Sequence, residues 1–163
     1  MPPKSRPSST GVSALVQRLF VAATSDAGDD AALAEETERV CANVGAGLSR
    51  WFGPYGSLAL VTRALSGVQA AHTSLAEVTV TTSALTQGPT LTGLTESARV
   101  HGTAATTEGV LAVLTALINL IGRLIGDDLA SRLFELSITG GRTASPNGTT
   151  PATGAAQPNV TER

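Results

Sequence analysis

Aromatic residues are scarce in this chain. Trp51, Tyr55 and three phenylalanines make up 3% of 163 residues. Any core must therefore be aliphatic, drawn from a sequence that is 42% hydrophobic. Cys41 is the only cysteine, which excludes an internal disulfide and a cysteine-based zinc site. Lysine is nearly missing: Lys4 stands against ten arginines, the usage of a GC-rich, bacterial gene. Charged residues are 15% of the chain, below the roughly 25% of ordinary soluble domains. A thinly charged surface favours self-association or a protein partner. The net charge of −2 gives no general attraction to nucleic acid or anionic lipid, and the basic residues are scattered singly. No apolar leader follows the basic N-terminus, so a cytoplasmic location is expected.

Chemical motifs are missing as well. No Gly-x-Ser-x-Gly elbow and no glycine-rich phosphate loop ending in Lys occurs. Gly126-Asp127-Asp128 spells a metal-binding triplet of some polymerases, but it lies in a helical pattern of a chain too short for such a domain. His72 and His101 sit near expected helix ends with no lysine beside them, unlike a phosphotransfer histidine. Cys41 falls on an apolar helix face, where an inert thiol is the default. The expectation is a non-enzyme with no metal and no cofactor.

What is present is helical periodicity. Val12, Leu15, Val16, Leu19, Phe20 and Ala23 recur at spacings of three and one, an amphipathic helix after the proline- and serine-rich residues 1–10. Asp29 and Asp30 open a second helix whose inward face is Leu33, Thr37, Val40, Cys41, Val44, Leu48 and Trp51. Residues 25–40 carry six acids against Arg39, a solvated face or a dock for a basic partner. Gly53-Pro54 predicts a corner, because glycine ends one helix and proline suits the first turn of the next. The corner gathers Trp51, Phe52 and Tyr55, either as a plug between two helices or as the mouth of a ligand pocket. The third helix runs to about Ala71 on Leu58, Val61, Leu65 and Val68.

Residues 77–82 alternate in β-branched fashion, yet no second strand is evident, so an extended loop is expected. A short helix is expected over 91–100. The longest apolar run then spans Thr103–Leu136. Its part before Gly126 is apolar on most sides, as a buried axis should be. Asn119 in its middle, and Asp127-Asp128 directly after it, argue against a membrane span, as does its length. Beyond Gly126 the stripe narrows, and the spacing offers i,i+4 pairs Arg123–Asp127 and Asp128–Arg132.

The reading is an all-α domain over 11–138, between disordered tails at 1–10 and 139–163. It is a bundle of four main helices around the long C-terminal one, with a short fifth. The expected function is an interaction or regulatory module that self-associates or joins a protein complex. Asp128, Arg132 and Phe134 on the end of the long helix are the first candidates for contact. The alternative is a sensor for an apolar small molecule held between helices. Trp51, Phe52 and Tyr55 would line its mouth, with Arg63 or His72 as polar contacts.

Overall fold

The first stripe forms α1 (Ser9–Thr24), with Val12, Val16 and Phe20 buried on one side. The computed structural model describes residues 9–25, 27–83 and 87–140, which hold five helices and one antiparallel hairpin. The first helix thus begins two residues before Gly11, and the last ends two residues after Ile138. The rest of both expected tails lies outside the described residues.

α2 (Asp30–Gln69) merges the expected second and third helices. Asp29 starts it: the carboxylate oxygen accepts the Ala32 N–H at 2.7 Å, meeting one of the orphan donors of the first turn. The predicted corner is there. Gly53 has φ +71° and ψ 170°, a conformation that side chains resist. Ser49 Oγ and Ser57 Oγ lie 2.7 Å apart across it. In a straight helix eight residues advance about 12 Å, so the two arms must fold sharply toward each other. Ser57, fully buried, also donates toward the Gly53 and Pro54 carbonyls at 2.8 and 3.0 Å, which suits groups left unpaired by the break.

The stretch expected to be a lone extended loop is a strand. β1 (Thr79–Ser83) pairs antiparallel with β2 (Gly88–Thr92), in the register Thr79↔Thr92, Val80↔Leu91, Thr81↔Thr90. The partner was concealed because Gly88-Pro89 reads as a turn. A two-stranded sheet has only edges, so proline costs it no essential ladder bond. β2 lies on the first arm of α2, where Gly45 leaves no room for a side chain: a Cβ there would stand 1.7 Å from the Pro89 carbonyl oxygen. Leu91 is therefore a buried strand residue, and the short helix α3 starts later than expected, at Leu94–His101.

A 3₁₀ turn, Thr73–Leu75, joins α2 to the hairpin. Gln69 Nε2 donates to the Leu75 and Val78 carbonyls at 3.0 and 2.9 Å, and Ser74 Oγ donates to Ala105 at 3.0 Å. Ser97 Oγ donates to the Ser74 carbonyl and shares a 2.9 Å bond with Thr106 Oγ1. The buried hydroxyls thus pin the turn to α3 and α4, as buried polar groups must be pinned.

The long apolar run is two helices, α4 (Thr103–Ile125) and α5 (Asp127–Gly140). Gly126, at φ +96° and ψ 148°, breaks the helix outright, and Asp127 begins the next one. α4 is the axis: α1, α2, α3 and α5 all pack on it, and no position from 109 to 122 is exposed. It is the one helix among the described residues long and apolar enough to cross a membrane by composition. Its Val110, Val113, Leu114, Leu117, Ile118 and Ile121 are instead buried against the other helices of this chain. α5 returns across α4, α2 and α1, and inserts Leu133, Phe134 and Ile138 into the core.

Candidate functional site

The predicted contact residues do not gather at one place. Phe134 is only 1% exposed and belongs to the core, because α5 turns that face inward once Gly126 has broken the helix. It is withdrawn as a contact residue. Asp128 and Arg132 are exposed on α5 but form no ion pair, although their spacing allows one. The Arg123–Asp127 pair fails for a clear reason. The break at Gly126 removes the helical turn that would align the two, and the Asp127 carboxylate packs against the Gly122 backbone instead. The ion pairs among the described residues are Glu36–Arg39 and Glu96–Arg99. In the latter, Arg99 holds the Glu96 carboxyl below its ordinary range by hydrogen bonds of 3.0 and 2.6 Å.

The corner aromatics correct the plug reading. Trp51 and Tyr55, 63% and 86% exposed, point away from the core, and only Phe52 packs against it. Trp51 therefore leaves the predicted inward face of α2. Three of the six acids in the acidic stretch have partners within the chain, and Asp26 lies outside the described residues. Asp29 caps α2, Glu36 pairs with Arg39, and Glu38 accepts the Thr95 N–H and hydroxyl at 3.3 Å, at the start of α3. Less is left for a basic partner than the composition suggests.

Cys41 lies under the hairpin, with Pro89, Leu91 and Val113 close by. Burial first, and the Glu38 charge second, push its thiol up to about 12. The thiolate that nucleophilic or metal chemistry needs is absent at neutral pH. Among the described residues, no three of His, Cys, Asp and Glu come together as a metal site would require.

Two surfaces remain. One is the outer face of α5. Leu129 and Leu136 are 48% and 65% exposed, two helical turns apart, with Arg132 between them and Asp128 beside them. The other is an open groove of about 600 Å³ between the second arm of α2 and α4. Arg63 and Arg123 line it, one from each helix, with Asn119 and Ser66. None of Trp51, Phe52, Tyr55 or His72 belongs to this groove. Asn119, one turn before Arg123, was read from the sequence as evidence against a membrane helix. The i,i+4 spacing of the two, alongside Ala116 and Leu120, was the available signal for a polar-edged groove.

Comparison with protein-family models, with curated proteins and with solved structures finds no match to this chain.

Proposed function

We propose that this protein is a non-enzymatic helical interaction module that self-associates through the outer face of α5. The observation that carries the reading is that face: two large leucines in solvent, flanked by an exposed acid and base that do not satisfy each other. In a two-fold dimer each contact occurs twice, with residue i of one copy meeting residue j of the other. Two α5 helices packed antiparallel, with the two-fold axis level with position 130, would set Asp128 of each copy against Arg132 of its partner, with the exposed Leu129 near the centre. The partner is thus a second copy of the chain, neither nucleic acid nor membrane. Leu124, at the end of α4, is a further exposed leucine, at 64%.

Light scattering behind size exclusion tests the reading. The expected mass is twice the 16.4 kDa of one chain. Leu129→Glu with Leu136→Glu should give a folded monomer. Asp128→Arg and Arg132→Asp should each weaken the dimer, and the double exchange should restore it. A wild-type chain that stays monomeric to about 100 μM, where even a weak dimer of roughly −6 kcal/mol would form, sinks the proposal.

The small-molecule alternative loses its aromatic mouth at Arg63 but keeps Arg63 itself, in the groove with Arg123.

A further inference from the structure

The groove between α2 and α4 presents two unlike surfaces. Its rim has two cations, Arg63 on one wall and Arg123 on the other, and among the described residues no acid lines it. Neither arginine has a hydrogen bond or ion pair among the described residues. This holds in a chain where acids outnumber bases, thirteen to eleven. Along the floor, Ala64 and Val68 face Ala116 and Leu120. The two alanines are small and Gly67 has no side chain, which leaves the groove open: a Cβ at Gly67 would meet nothing within 4 Å.

Each surface rules out a simple occupant. A bare inorganic anion would satisfy the arginines and leave the apolar floor in water. A purely apolar molecule would cover the floor and strip water from two guanidiniums without replacing it, which is costly. An occupant with an acidic head and an apolar tail meets both demands. Guanidinium forks match the two oxygens of a carboxylate or of a phosphate monoester, and the Asn119 amide adds a neutral polar contact. The volume is in the range of small-molecule sites. We infer that this groove binds a single-chain anionic amphiphile, its acid group held between Arg63 and Arg123 and its chain laid over Val68, Ala116 and Leu120. The site is separate from the α5 face, so it stands whether or not the protein self-associates.

Calorimetric titration of the full chain tests this, with dodecanoate, dodecyl phosphate, dodecanol and acetate, each kept below micelle formation. One molecule of an anionic dodecyl compound should bind per chain, at least about 10-fold more tightly than dodecanol or acetate. Whichever of the two anions binds more tightly identifies the head group. Arg63→Gln with Arg123→Gln should remove the preference over dodecanol. Both side chains are exposed, so circular dichroism should show the fold retained. Gly67→Leu should abolish binding by filling the groove, while its melting temperature does not fall. The inference is overturned by equal binding of dodecanoate, dodecyl phosphate and dodecanol. It is overturned too by anion binding that survives both sets of substitutions, or by no anion binding at all.

Discussion

Single atoms decide much of this molecule. Alanine in place of a helical glycine usually stabilises by about 1 kcal/mol, through chain entropy and helix propensity. Gly67→Ala should follow that rule, since its Cβ would meet open space. Gly45→Ala should reverse it. The added carbon would overlap the Pro89 carbonyl, and both partners are backbone, so a loss of about 2–4 kcal/mol is expected from overpacking. Thermal melts of the two variants should move in opposite directions; a shared direction would mean the contact between α2 and β2 is not as described. Cys41 gives a second residue-scale prediction. Its folded-state pKa is raised, from 9.0 to about 12, so the folded state keeps a proton that the unfolded state gives up. The associated stability is complete below pH 9.0 and is lost as pH rises toward 12, by roughly 1.4 kcal/mol per unit inside that window. Denaturant midpoints measured from pH 8 to 11 should show this slope in the wild type and not in Cys41→Ala. The native thiol should also resist alkylation at neutral pH and react promptly in denaturant.

At the scale of elements, the corner in α2 makes a prediction of its own. Nothing lies near a Cβ at Gly53, so Gly53→Ala should cost only the backbone strain of φ +71° and ψ 170°, a region nearly confined to glycine, about 1–3 kcal/mol. Gly53→Asn should cost about as much, because asparagine's tolerance of positive φ belongs to the left-handed helical region, far in ψ from 170°. Equal chemical-denaturation midpoints for wild type and Gly53→Ala would show that the corner can relax. Elements were legible where a period ran uninterrupted. The stripe of Val12, Val16 and Phe20, and that of Val61 and Leu65, are buried as their spacing predicts. Punctuation was legible too: Asp29 caps and Gly53 turns. The hairpin was not, because a strand is recognised by its partner and β2 begins with a glycine and a proline whose meaning depends on Gly45, over forty residues earlier. The outward turn of Trp51 and Tyr55 was equally hidden, since apolarity alone predicts burial. Of the candidate site, the sequence pointed to Arg63, Asp128 and Arg132. It did not pair Arg63 with Arg123, because that pairing comes from the folding back of α2 along α4.

The whole molecule has a thin margin between core and surface. α4 has no exposed position over most of its length, yet several of its neighbours cover it with small residues, and large apolar side chains remain outside on α1, α2, α4 and α5. Association that favours the folded dimer couples stability to concentration. The melting temperature should therefore rise with protein concentration, and added salt should reduce the rise if Asp128 and Arg132 meet across the interface. Differential scanning calorimetry over about a hundredfold range of concentration reads both effects; a concentration-independent transition would match a monomer. Two unlike surfaces, one apolar on α5 and one cationic between α2 and α4, are where the proposed association and the proposed ligand would be found.

The turn Gly45-Ala46-Gly47 touches strand and helix together: Gly45 abuts Pro89, and a Cβ at Gly47 would strike Ser137. The order of synthesis gives this close fit a temporal meaning. Pro89 leaves the ribosome about 44 residues after Gly45, and Ser137 about 90 after Gly47, a delay of roughly 5–18 s at about 5–20 residues per second. Between those two events, about 48 residues or roughly 2–10 s, the first arm of α2 has its hairpin but lacks its closing helix. The side of the nascent chain at Gly47 is then a bare, side-chain-free notch, open to a chaperone or to the α5 of another copy before its own arrives.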